Sequence, residues 1–136
     1  MSISFKETFP EQIKKLIYLQ DQEKLAIVLE GSNQIEFYSP DTLEICNKPL
    51  VITHPPLKVD TLKIKKKNGK VEFTRADIDI EIKTSVEDII YISDHNYKLL
   101  LVASSDRFLR GYRFVGNSFI PAFSRLYDEL IEKKFD

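Results

Sequence analysis

Apolar residues in this chain fall into short clusters separated by polar turns, and most clusters suit half-buried strands rather than long helices. Ile13, Leu16, Tyr18 and Leu19 open the first cluster, which ends at the polar turn Gln20-Asp21-Gln22-Glu23. Lys24 to Leu29 is a continuous apolar run between turns, the pattern of a strand buried on both faces. Gly31-Ser32-Asn33 makes the next turn, and Ile35-Glu36-Phe37-Tyr38 alternates back into a strand. After a turn at Ser39-Pro40-Asp41-Thr42, the residues Leu43, Ile45, Leu50, Val51 and Ile52 predict a fourth strand, or two short pieces of one.

His54-Pro55-Pro56 stops that strand, because proline cannot donate to a ladder. Residues 57–83 then predict a hairpin. Val59, Leu62 and Ile64 lead in, Asn68-Gly69 is a strong hairpin turn, and Val71, Phe73, Ile78, Ile80 and Ile82 lead out. Period two over residues 77–82 puts Asp77, Asp79 and Glu81 on one face and three isoleucines on the other. From Val86 the strand-turn-strand order begins again. Ile89 to Ile92 form a strand, Ser93-Asp94-His95-Asn96 a turn, Leu99 to Ala103 a buried strand, Ser104-Ser105-Asp106 a turn, and Phe108 to Phe114 a third strand. The last stretch changes period. Phe123, Leu126, Tyr127, Leu130 and Ile131 have the spacing of one helical face, with Lys133 and Lys134 suited to a helix C-terminus. A short amphipathic helix is predicted there, the rival being a strand from Phe119 to Phe123.

Two segments repeat. Residues 13–21 match residues 86–94 at a constant spacing of 73, and an insertion at Tyr97 shifts the spacing to 74. Lys24 and Leu25 then match Lys98 and Leu99, Val28 matches Val102, Ile35 matches Leu109, and Tyr38 matches Tyr112. This order resembles the WD-repeat blade, a four-stranded antiparallel sheet of roughly 40 to 45 residues. Leu101 to Tyr112, with its Ser-Ser-Asp turn, carries the resemblance best. Tyr112 stands where that family commonly has Trp, Arg113 replaces its Asp, and the family's Gly-His pair is absent.

The resemblance implies an all-β fold of antiparallel β-propeller blades, about two to three in number, with the predicted C-terminal helix appended. Its units are 11–53, 57–84 and 85–120, followed by a helix or tail over 121–136. A propeller ring takes about four to eight blades, so further blades of the same or another chain must complete it. Residues 35–46 are also similar to a blade edge of the large EF-hand-associated WD-repeat proteins of cilia, although no EF-hand loop is present. That likeness implies a ciliary or axonemal location and axonemal protein partners, with the acidic surface of tubulin as a target for Lys63 to Lys70.

Composition narrows the chemistry. The chain has 136 residues, 43% of them hydrophobic and 30% charged, enough to bury a core. A net charge of −1 argues against a general grip on nucleic acid or anionic membrane. The single cysteine, Cys46, forms no intrachain disulfide and is expected to be a small buried strand residue. No apolar run approaches the roughly 18 residues that span a bilayer, and residues 1–7 lack a secretory pattern, which together point to the cytoplasm.

Candidate sites are weighed against plainer roles. Asp77, Asp79 and Glu81 read as a solvated strand face beside the lysines, and Lys63 to Lys70 as a soluble hairpin tip. His54 and His95 sit in turns without neighbouring ligands, and the four glycines form no phosphate loop. No metal, cofactor or catalytic residue is expected. The expected partner-binding residues are Phe123, Leu126, Tyr127, Leu130 and Ile131, joined by Arg107, Arg110 and Arg113. The preferred reading is a non-enzymatic protein–protein interaction scaffold within a larger assembly. The alternatives are a stand-alone α+β ligand- or lipid-binding domain and, more remotely, an enzyme.

Overall fold

The computed structural model describes Phe9 and residues 11–127. The chain divides into two compact units, residues 1–52 with 84–136, and residues 53–83. The described residues form ten antiparallel strands: β1 (Ile13–Leu19), β2 (Lys24–Leu29), β3 (Gln34–Tyr38), β4 (Leu50–Val51), β5 (Leu57–Lys67), β6 (Lys70–Ile80), β7 (Val86–Ser93), β8 (Lys98–Ser104), β9 (Phe108–Val115) and β10 (Ser118–Leu126).

The larger unit holds two four-stranded meanders. The first sheet runs β1-β2-β3-β4 and the second runs β7-β8-β9-β10, each strand pairing with its neighbour in sequence. The turns follow from the residues at them. Gly31 and Gly116 take φ of 76° and 64°, and Arg107 reaches 69° after Ser105-Asp106. β4 is only two residues long, and Ile45 makes a lone bridge to Tyr38, so Leu43 to Ile52 supply two short pieces rather than a full strand. Cys46 is exposed, not buried as expected, because the chain leaves the sheet just after that bridge.

One core joins the two sheets. Leu19, Ala26, Val28, Ile35, Phe37 and Ile52 meet Val86, Ile89, Leu100, Val102 and Tyr112, with Ile17, Leu50, Tyr91 and Phe119 packed at the margin. On the other side of the first sheet, Ile27, Leu29 and Tyr38 form a smaller cluster under Phe9, whose ring meets Tyr38 edge-on at 5.7 Å. That is why the run from Lys24 to Leu29 is apolar on both faces.

The predicted helix does not begin at Phe123. Residues 118–126 extend the second sheet, with eight of them paired to β9 and a register shift between Pro121 and Phe123. An unpaired β9 edge outweighs the local helical spacing, and β10 is an edge strand, where Pro121 forfeits no ladder bond. Phe123 and Leu126 therefore lie on opposite faces of a strand instead of on one helical stripe. Leu130, Ile131, Lys133 and Lys134 lie outside the described residues.

The smaller unit is the predicted hairpin. β5 and β6 pair in register from Leu57 with Ile80 to Lys67 with Lys70. Asn68 and Gly69 both have positive φ, 54° and 77°, as a tight type I′ turn requires.

Candidate interaction surface

The register of the two meanders puts their residues into matching rows. In the first sheet Tyr18, Leu25 and Tyr38 lie side by side across three strands, and in the second Tyr91, Leu100 and Tyr112 do the same. The next row is Ile17, Ala26 and Phe37 in one sheet and Ile90, Leu101 and Gly111 in the other. Both sheets carry a register irregularity at the start of their first strand, between Ile13 and Lys15 and between Val86 and Asp88. The repeat read from sequence thus holds in the first and third strands. In the second strand it slips by one, because Leu25 matches Leu100 and not Leu99. Both turns hold four residues, and the β7–β8 hairpin runs one cross-strand pair further toward its turn than β1–β2 does.

Corresponding rows do different things. The first sheet turns its Ile17-Ala26-Phe37 face toward the second sheet, which answers with its Tyr91-Leu100-Tyr112 face. The contact is head-to-tail: two different surfaces of one repeated unit meet. Polar groups fasten its rim. Tyr91 Oη donates to Asp21 Oδ2 at 3.1 Å and accepts from Gln22 Nε2 at 2.8 Å, while Lys98 reaches the same Asp21 oxygen at 3.1 Å. Lys14 pairs with Glu87, Lys15 with Asp88 at 3.1 Å, and Phe37 stacks on Phe119 at 5.3 Å. Burial opposes charge on Asp21, yet the bonds from Lys98, Tyr91 and Ser93 prevail and hold its carboxyl below the ordinary value. Burial, with the Asp21 carboxylate beside it, pushes the Tyr91 phenol up to about 12. These groups tie the two sheets together at the rim of their contact.

The far face of the second sheet has no cover among the described residues. Ile90 is 54% exposed, Ile92 40%, Ile120 46% and Phe123 39%. Leu99 and Leu101 lie half-buried between them in the adjoining rows. The Phe123 ring lies against Gly111, where a Cβ would come within 2.2 Å of it, so glycine is what allows the aromatic cover. Arg113 stands on this face between Leu99 and Ile120.

Of the residues expected to bind partners, Phe123 and Arg113 share this apolar face. Leu126 is exposed on the opposite side, and Tyr127 follows it, its N–H bonded to the Arg107 carbonyl at 2.8 Å. Arg110 belongs elsewhere. It is buried at 8% and gives a two-pronged ion pair to Asp106, with Nη2 to Oδ2 at 2.6 Å and Nη1 to Oδ1 at 3.1 Å, while Ser104 Oγ donates to Asp106 at 2.6 Å. Its guanidinium knits the β8–β9 turn. Burial works against the Asp106 charge, but Arg110 and Ser104 outweigh it and hold the carboxyl at about 2. The sequence signal for Ile90, Ile92, Leu101 and Ile120 was the repeat itself: once Ile17 is known to be covered, its counterpart Ile90 needs a cover too.

On the hairpin, Asp77 stands opposite Asp60 and Asp79 opposite Lys58, while Glu81 falls beyond the strand. Among the described residues no group of three or more His, Cys, Asp or Glu side chains is arranged to hold a metal ion. His54 Nδ1 lies 2.7 Å from the Pro55 carbonyl oxygen, and His95 is exposed.

No family model matches the chain, and no solved structure matches it. It is similar to cilia- and flagella-associated protein 337 B of Tetrahymena thermophila, with 33% identity over 129 residues. The match covers 93% of this chain and 10% of that protein, so the chain spans about a tenth of the length of the curated relative it matches.

Proposed function

We propose that this chain supplies consecutive blades of a WD-repeat-like β-propeller and acts as a non-enzymatic protein–protein interaction scaffold in a ciliary assembly. The observation that carries the blade reading is the head-to-tail contact. The first sheet's Ile17-Ala26-Phe37 face is covered, and its counterpart on the second sheet, around Ile90, Leu101 and Phe123, is apolar and open. A heterologous contact of this kind propagates until a ring closes, and two sheets do not close one. A further blade, from the same or another chain, fits the open face. The ciliary part rests on the relative's name and on the matched length. The partners are then other proteins of that assembly.

The test is to express the tagged chain in ciliated cells and compare it with Ile90→Asp plus Phe123→Asp. The wild type is expected in the detergent-resistant ciliary fraction, and the variant in the soluble fraction with its circular dichroism unchanged. A wild type that never enters cilia overturns the ciliary role. A folded variant that is retained like the wild type overturns the blade contact.

A further inference from the structure

The hairpin unit has two unlike ends, and register separates its faces. Near the turn, one face carries Leu62 opposite Arg75, Ile64 opposite Phe73, and Lys66 opposite Val71. Leu62, Ile64, Val71 and Phe73 are exposed by 56%, 62%, 48% and 63%, so four large apolar side chains form an open patch with a cation at each end. The opposite face of the same segment carries Lys63, Lys65, Lys67 and Lys70. Residues 62–75 hold six cationic side chains and one carboxylate, Glu72, in a chain whose net charge is −1. Among the described residues no carboxylate lies within ion-pair distance of any of the six.

A two-stranded ribbon is marginal on its own, and an apolar patch this open on a hairpin of two 11-residue strands calls for a cover. The charge decides what kind. A second copy of the tip is repelled by like charge. A membrane-inserting hairpin presents its apolar residues at the turn, but here the turn is Lys66-Lys67-Asn68-Gly69-Lys70, and the apolar patch lies behind it. Single-stranded nucleic acid binds on stacked aromatics, and Phe73 is the patch's one ring.

We infer that the outer half of the β5–β6 hairpin, through Leu62, Ile64, Val71 and Phe73 flanked by Lys66 and Arg75, docks an acidic protein segment bearing apolar side chains. The apolar centre supplies the burial, and the cations at its ends and on its back select against basic partners and speed encounter.

Fluorescence anisotropy with the full 136-residue chain tests this. The probe is a labelled sixteen-residue peptide alternating glutamate with leucine or phenylalanine. Saturable binding that weakens as salt rises is expected, with about tenfold loss for Ile64→Ser plus Phe73→Ser and for Lys66→Glu plus Arg75→Glu. Lys58→Glu, at the far end of the same face, leaves the affinity within about twofold. An all-glutamate probe that binds as tightly removes the apolar centre from the idea. Affinity unchanged in both double variants overturns the site. Binding to phosphatidylserine vesicles or to a single-stranded oligonucleotide, with the peptide unbound, replaces the acidic segment by that other partner.

Discussion

The two four-stranded sheets make the same meander from matching rows, yet the same row lies in the core between the sheets in one and outside it in the other. Leu100, in the second sheet's Tyr-Leu-Tyr row, is fully buried, whereas its counterpart Leu25 is only half-buried under the Phe9 side. Phe37 is 2% exposed, and its counterpart is Gly111, whose missing side chain is replaced by the ring of Phe123 from β10. The second sheet also has a nine-residue fourth strand and the Ser104-Asp106-Arg110 clamp, where the first has a two-residue β4 and the turn Gly31-Ser32-Asn33. The difference teaches that a repeated unit does not carry its own core. Each sheet takes its core from the neighbour it is stacked on, and where that neighbour is missing an apolar face remains open.

The largest difference between the sheets should come from the clamp. Arg110→Ala leaves Asp106, whose side chain is 2% exposed, as an unpaired buried charge. Breaking such a pair costs about 3–5 kcal/mol, so urea unfolding should show a large drop in midpoint. The matched position in the first sheet is Glu36, which pairs with the Tyr38 hydroxyl at 2.6 Å, and Glu36→Ala should cost under about 1 kcal/mol. Equal losses at the two positions would mean that the clamp adds nothing the first sheet lacks.

Leucine truncation sharpens the same point. Leu100→Ala removes a fully buried side chain and should cost about 3 kcal/mol, with Leu25→Ala well below half of that. If the two cost the same, the covered and open rows are energetically alike and the comparison fails.

Acid should reveal the clamp next. The folded Asp106 carboxyl sits at about 2, below its ordinary 3.8, so its contribution is fully present above about 4 and disappears as pH falls toward 2. That contribution is on the order of 2 kcal/mol. Unfolding midpoints measured between pH 5 and 2 should fall less steeply in Asp106→Asn than in the parent chain. Parallel curves would remove Asp106 from the acid response.

How much of this was legible beforehand follows from which forces are local. The strands, the Asn68-Gly69 turn and the two-copy order were readable because period two and turn chemistry act within a few residues. The fate of residues 123–126 was not, because a helical spacing and an edge strand compete, and the unpaired β9 ladder that decides between them is contributed by residues earlier in the chain. Arg110 shows the same limit: a lone arginine in a strand reads as surface, and its burial depends on the Asp106 carboxylate and the Ser104 hydroxyl that fold beside it. The one-residue slip in the middle strand escaped because Leu99, Leu100 and Leu101 look alike in sequence and differ only in which cross-strand partner each finds.

The smallest effect on stability should be the most telling about assembly. Gly111→Ala places a methyl where the Phe123 ring lies, but Phe123 is 39% exposed and its ring is free to swing outward. The backbone at Gly111 does not need a left-handed φ, and alanine is a better strand residue than glycine by roughly 0.5–1 kcal/mol. The unfolding midpoint of the isolated chain should therefore move little. The open face is altered all the same, since the ring that levels the Ile90-Leu101-Gly111 row is displaced from it. If a further sheet seats on that row, Gly111→Ala should lower ciliary retention of the tagged chain while stability stays put. An unchanged retention would mean that the row is not a seat, and a large fall in stability would place Phe123 in this chain's own core.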